Sequence, residues 1–224
     1  MKKYILLGVP LIFYGQSLLI YFSNVHQFLL IILQVLLNIA IITGCMIFLL
    51  KRTRLQNVFD WIIGICFSVY FCILYHNTVE FLFIFDYVHF TLNNLRSTIH
   101  FSVNLIPIKG ILDVLHNNPS PLFQIAGNAF MLTPFAFALL YFKWAKKNKQ
   151  AIWFSFLCTV GIELVQFLQS ILSSMFEIGM GRSTDIDDVI LNTFGAVVGV
   201  GCYYLWVKIK QLVNQKIKNS GVTF

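Results

Sequence analysis

The stretch AIWFSFLCTVGIELVQFLQSIL, residues 151–172, decides how this chain folds. At about 1.5 Å per residue it is long enough, as a helix, to cross the roughly 30 Å of hydrocarbon in a bilayer. Glu163 is its one charged residue. Ser155, Thr159, Glu163, Gln166 and Ser170 recur at intervals of 4, 4, 3 and 4, which at about 100° per residue sets them on a single stripe. Polar groups are costly in hydrocarbon and turn toward a bundle interior or a water-filled cavity. The stretch therefore reads as a membrane span with one polar face.

The rest of the chain agrees. Its 224 residues are 58% hydrophobic, 16% aromatic and 11% charged, where an average soluble protein is about 25% charged. That balance excludes a soluble enzyme, a nucleic-acid module and a disordered tail. Six runs reach spanning length: Tyr4 to Phe22, Gln27 to Leu50, Val58 to about Asn77, Pro121 to Phe142, Ala151 to Leu172, and Asp185 to Val207. The first follows Met1-Lys2-Lys3, but no small-residue cleavage pattern follows Phe22, so a retained helix is expected rather than a secretory signal. The fold class is all-α, a polytopic membrane helix bundle of about six spans.

Charge orients these spans. With the N-terminus inside, the inside segments carry Lys2, Lys3, Lys51, Arg52, Arg54, Lys143, Lys146, Lys147, Lys149, Lys208, Lys210, Lys216 and Lys218, which are 13 of the 16 basic residues. Arg96, Lys109 and Arg182 fall outside, the asymmetry of the positive-inside rule. The net charge of +7 is thus a cytoplasmic belt, not a surface for nucleic acid. Both termini are expected in the cytoplasm and the protein in a plasma membrane. The organisation expected is an accessory helix pair over 1–56, a four-helix core over 57–210 with an outer loop at about 79–120, and a basic cytoplasmic tail over 211–224. The five cysteines all lie in spans, in no ligand spacing, and read as packing residues.

Polar residues gather at one depth. Glu163 lies roughly 14 Å below the outer end of its span. The last span opens with Asp185 and Asp188, where the helix dipole favours negative charge. Asn192 follows roughly 10 Å deep, and Gly195 and Gly199 permit close approach of a neighbouring helix. The fourth span opens with Ser120 as expected N-cap and Pro121 at its first position. Asn128 lies about 10 Å in, one turn after Gln124, and Pro134 lies where it can kink the helix. Asn128, Glu163, Gln166 and Asn192 then line an outward-opening polar pocket, roofed by Arg182, Asp185, Asp188 and the loop holding Asn104. The plainer alternative is that these groups bond one another as interhelical glue, with Arg182 paired to Asp185 or Asp188.

The same residues carry a resemblance. Residues 181–195, GRSTDIDDVILNTFG, with Gly199 following, Gly161-Ile162-Glu163-Leu164-Val165-Gln166, Gly127-Asn128 with Pro134, and Asn104-Leu105-Ile106-Pro107 resemble, in order, the motifs of the VanZ-like membrane-protein family. The chain departs from that pattern at Leu132-Thr133-Pro134-Phe135-Ala136, where the family commonly has Phe-Ile-Pro-Leu-Gly, and at Ile108 in place of Phe. The resemblance spans about Asn104 to Gly199 and implies a part in tolerance of glycopeptide or lipoglycopeptide antibiotics such as teicoplanin.

Three readings of the pocket stay open. In one it binds the anionic or amide part of an envelope component or an amphiphilic antibiotic. In a second it is an intramembrane enzyme acting on a lipid-linked envelope substrate, with Glu163 as general acid or base, Arg182 holding a phosphate or carboxylate and Asp185 with Asp188 on a divalent cation. No nucleophile motif, HExxH or Gly-rich phosphate loop accompanies these residues. His76, His89, His100 and His116 match no ligand spacing. In a third reading the protein is a scaffold for envelope enzymes.

Overall fold

A computed structural model describes residues 2–21, 28–81, 91–92, 98–99, 103–176 and 183–219, with the side chains of 17–21, 28–31 and 217–219 excepted. A 3-10 turn, Lys2–Leu7, leads into α1 (Gly8–Tyr21), followed by α2 (Phe28–Lys51) and α3 (Val58–Thr78). Strand β1 (Val103–Asn104), α4 (Lys109–Asn117), α5 (Pro121–Met131), α6 (Thr133–Tyr141) and α7 (Asn148–Met175) come next. Strand β2 (Thr184–Asp185) and α8 (Ile186–Asn219) complete the order.

Among the described residues, five helical segments are long and apolar enough to span a bilayer: 32–51, 58–78, 121–141, 148–175 and 186–216. The first expected span is helical over Lys2–Tyr21 but changes geometry. Pro10 has no N–H to give Leu6, so the chain enters α1 from a tighter turn. The 3-10 and α segments together rise about 33 Å. Side chains on the outer surface are those of a lipid-facing bundle, with Leu157, Leu164 and Leu168 of α7 at 47%, 57% and 50% exposed. The chain is a multi-pass membrane protein, an all-α helix bundle in which β1 and β2 form one short parallel bridge.

The polar stripe turns inward. Ala151, Ser155, Thr159, Ile162, Glu163, Gln166 and Ser170 are the buried residues of α7. The pairs α6 with α8, α7 with α8 and α5 with α8 make the densest packing, so α8 is the central post of the core. Its helix runs unbroken through Asn219, so the described part of the expected tail, 211–219, is continuous with it.

The fourth span is broken rather than kinked. Leu132 separates α5 from α6 with φ −94° and ψ 7°. Pro134, near the start of α6, cannot donate to the carbonyl four residues earlier. Tyr70 of α3 donates its hydroxyl to the Met131 carbonyl at 2.8 Å, satisfying a backbone group at the break as a bilayer requires.

The basic segments meet at one end. The Lys3 ammonium donates to the carbonyls of Lys51 (3.3 Å) and Thr53 (3.0 Å). The Trp144 indole donates to the Thr53 hydroxyl at 3.0 Å, and the Tyr141 hydroxyl to Asp60 at 2.8 Å. Asp60 also closes a capping box with Asn57 at the start of α3.

Helix α2 is tied to the far end of α3 through Asn38, which is 1% exposed. Its carbonyl accepts the Tyr75 hydroxyl (2.7 Å) and the Phe81 N–H (3.1 Å), and its amide donates to the Phe81 carbonyl (2.9 Å). Interhelical hydrogen bonds in membranes contribute about 0.6 to 1.7 kcal/mol each. Asn38→Ala is therefore expected to cost about 2 kcal/mol, read as a lower thermal unfolding midpoint of the purified protein. An unchanged midpoint would mean the three bonds contribute nothing net.

Candidate functional site

The site is assembled where α8 begins. Two aspartates in its first turn, Asp187 and Asp188, meet the positive end of the helix dipole. Asp185, just ahead of the helix, accepts the Asp187 N–H on its own carboxylate at 2.9 Å. That bond turns the chain from β2 into α8. Strand β2 lies parallel to β1, with Val103 opposite Thr184 and Asn104 opposite Asp185.

Each acid then takes a different partner. Asp185 accepts the Asn104 side-chain amide at 3.0 Å. Asp188 accepts the Asn128 amide from α5. Asp187, 2% exposed, accepts the backbone N–H groups of Ile108 (2.6 Å) and Ile111 (3.1 Å). These belong to the start of α4, whose N-cap residue Ile108 offers no side-chain cap of its own. Asp187 supplies the missing cap from another helix and places its charge at the α4 N-terminus.

Ile108 sits at φ 71°, a conformation rare for a β-branched residue. The Asp187 bond to its N–H holds it there. Gly110 is required by proximity: a Cβ at that position would lie 1.9 Å from Asp185 Oδ2. The loop from Asn104 to Pro107 thus leads into a short helix held against Asp185 and Asp187.

Between α4, α5 and the start of α8 lies a cleft of about 590 Å³. Its walls carry Asn104, Lys109, Asp113, Gln124, Asn128, Asp185, Asp187 and Asp188. Four carboxylates face one ammonium, so the cleft favours ligands rich in hydrogen-bond donors or positive charge. It lies at the end of the bundle opposite the basic segments.

The remaining expected residues lie beneath or beside the cleft. Glu163 is 5% exposed, and its Oε2 accepts the Asp185 N–H at 3.0 Å. The Thr184 hydroxyl donates to the Glu163 backbone carbonyl at 3.3 Å. Glu163 therefore supports β2 from below and is not among the residues lining the cleft. Gln166 donates to the Thr78 carbonyl at 3.1 Å, tying α7 to the end of α3. Asn192, 1% exposed, donates to the Thr159 hydroxyl at 3.0 Å. Arg182 lies outside the described residues, as do His89 and His100.

Ser120 occupies the N-cap position of α5, but its hydroxyl makes no capping bond. Asn118 orders that turn instead: its carbonyl accepts the Ser120 N–H at 2.7 Å and its amide donates to Gln124 at 2.5 Å. Among the described residues no three His, Cys, Asp or Glu side chains are placed to share a metal ion. Asp185 and Asp188 spend acceptor capacity on Asn104 and Asn128.

Asp113 and Asp187 are the carboxylates of the cleft that sequence reasoning missed. Helical spacing joins Asp185 to Asp188 and leaves Asp187 off their face. The available signal was indirect: a short helix starting at Lys109 without a Ser, Thr, Asn or Asp cap needs an acceptor from elsewhere.

The family profile described as VanZ/LLP1 matches residues 67–207, from within α3 to the inner part of α8. This chain belongs to the VanZ/LLP1 family. Comparison with curated proteins and with solved structures found no match in either set. The VanZ/LLP1 match contains every residue of the cleft and leaves α1 and α2 outside. Its glycines divide by contact. A Cβ at Gly195 would meet the Ala129 carbonyl oxygen at 2.5 Å, whereas Gly127 and Gly161 have open space. Ala136 is fully buried and is accommodated because residue 199 opposite has no side chain.

Proposed function

We propose that this VanZ/LLP1 protein acts in the bacterial plasma membrane as a binder. Its outer cleft takes the polar, donor-rich portion of an envelope component or of an amphiphilic glycopeptide or lipoglycopeptide antibiotic, and so confers tolerance of teicoplanin. The observation that carries this reading is the cleft wall itself. Carboxylates and amides from four separate elements are held in place by protein hydrogen bonds before any ligand arrives, the preorganisation that recognition requires. Glycopeptide sugars, amides and amines are rich in the donors that such acceptors take.

The positive-inside charge distribution turns the cleft outward, toward envelope intermediates. Catalysis by Glu163 draws less support, because that carboxylate lies behind β2 and away from the cleft wall. Its role in the binding reading is to position Asp185.

The decisive variant is Asp188→Asn, which removes charge while keeping an oxygen for the Asn128 amide. A charged hydrogen bond contributes about 1.5 to 3 kcal/mol, so teicoplanin affinity of the purified protein is expected to fall roughly 10- to 100-fold. Cells carrying the variant at normal membrane level should return to the tolerance of cells lacking the protein. Wild-type tolerance in Asp188→Asn would favour the scaffold reading. An altered envelope lipid or peptidoglycan precursor that disappears in Glu163→Gln would favour the enzyme.

A further inference from the structure

A second cleft, of about 540 Å³, lies at the opposite end of the bundle, between the α2–α3 turn, the α6–α7 turn and α8. Arg52, Arg54, Lys143 and Lys210 line it together with one carboxylate, Asp60, and the ring of Trp206. Asp60 accepts the Tyr141 hydroxyl at 2.8 Å and the N–H groups of Gln56 (2.8 Å) and Asn57 (3.2 Å) within the cleft wall, and of the four cations Lys210 is the one whose charge acts on it. Among the described residues no ion pair uses any of the four cations. Positive-inside topology accounts for basic residues at this end but not for their convergence on one concavity from three elements.

Lys143 adds an independent sign. It follows α6 at φ 59°, the left-handed position that ends many helices and that glycine ordinarily fills. The Ala145 N–H closes this turn onto the Leu139 carbonyl at 2.9 Å. A lysine there bears backbone strain that glycine would not, a pattern that clusters at functional sites.

The setting names the ligand chemistry. The cleft is at the membrane interface, where tryptophan and tyrosine concentrate, and on the side where anionic lipids attract basic groups. Phe59, 61% exposed, stands beside Trp206 with ring centroids 6.0 Å apart. Ile62, one helical turn on, is 49% exposed and continues an apolar track into the bilayer.

We propose that this inner cleft binds the phosphate of an anionic lipid from the cytoplasmic leaflet, with Arg52, Arg54, Lys143 and Lys210 around the headgroup and the acyl chains along Phe59 and Ile62. Arginine forks match phosphate oxygens, and lysines add point charge. The site is independent of the outer cleft, and its failure would leave the binding of envelope ligands untouched.

The test uses the full-length protein in nanodiscs of phosphatidylcholine doped with phosphatidylglycerol, reading by native mass spectrometry the lipid retained on release. One phosphatidylglycerol per chain is expected. Arg54→Gln with Lys210→Gln should reduce retention at least tenfold, while Lys146→Gln with Lys149→Gln, equal in charge but outside the cleft, should leave it unchanged. Lys143→Gly should lower retention without lowering the unfolding midpoint, because it relieves strain as it removes the charge. Equal loss in the two double variants would reduce the effect to general surface charge and overturn the site. Saturable binding of glycerol 3-phosphate in pure phosphatidylcholine discs, as tight as that of the lipid, would assign the cleft to a soluble phosphate ester and overturn the lipid.

Discussion

Asp187→Ala is expected to release α4 from the outer end of the bundle and to cost about 3 kcal/mol. Two backbone donors, on Ile108 and Ile111, lose their one acceptor. A hydrogen bond to a charged group contributes about 1.5 to 3 kcal/mol, and because both donors are only part-buried the low end applies to each. The strained Ile108 backbone also loses the bond that holds it, so the turn is expected to relax away from φ 71°. At about 2 to 4 °C per kcal/mol for a domain of this size, the unfolding midpoint should drop by roughly 6 to 12 °C. Asp187→Asn should fall between wild type and alanine, because its carbonyl can accept one N–H while its amide faces the other. Because α4 forms one wall of the cleft, the ligand affinity proposed for that cleft should fall along with stability. If Asp187→Ala unfolds at the wild-type temperature with α4 still protected from hydrogen exchange, the clamp described for this residue is wrong.

Gly199→Leu is expected to prevent the core from closing. A Cβ at residue 199 would lie 2.3 Å from the Thr133 carbonyl oxygen and 3.0 Å from the Ala136 Cβ. The first contact is with backbone at the α5–α6 break, which cannot rotate aside as a side chain can. Overpacking costs about 1 to 3 kcal/mol even where side chains yield, and here α8 itself must move. The displacement would also pull apart the Thr133 hydroxyl and the Gly195 carbonyl, now 2.9 Å apart. Gly199→Ala should already be destabilising, and leucine should leave little folded protein in the membrane. Gly161→Ala is the control: its Cβ meets nothing within 4 Å, and alanine is favoured over glycine in a helix interior by about 1 kcal/mol. Comparable membrane levels of Gly199→Leu and Gly161→Ala would contradict the close packing of α8 on α6.

These two positions show how unevenly the site can be read from sequence. Gly195 and Gly199 are legible, since small residues four apart on an apolar helix announce a close crossing. The stripe on α7 is legible for the same reason of period, and all five of its polar members are buried. Asp187 is not legible as a cap, because its partners lie 79 and 76 residues away and no local rule links them. Nor does Glu163 disclose its bond to the Asp185 N–H. Depth along a helix axis places it near Asn128 and Asn192, but only the turn of β2 over α7 determines which backbone donor it meets.

By itself the sequence determined the membrane, the approximate spans, the segregation of charge and the inward faces of α7 and α8, because all of these follow from hydrophobic period and residue composition along one chain. Tertiary structure alone decided that Asp185, Asp187 and Asp188 hold three different elements, that α4 closes a cleft over them, and that four cations surround a second cleft at the far end. Those relations depend on side chains from distant segments competing for the same donors and the same space, which no periodicity along the chain records.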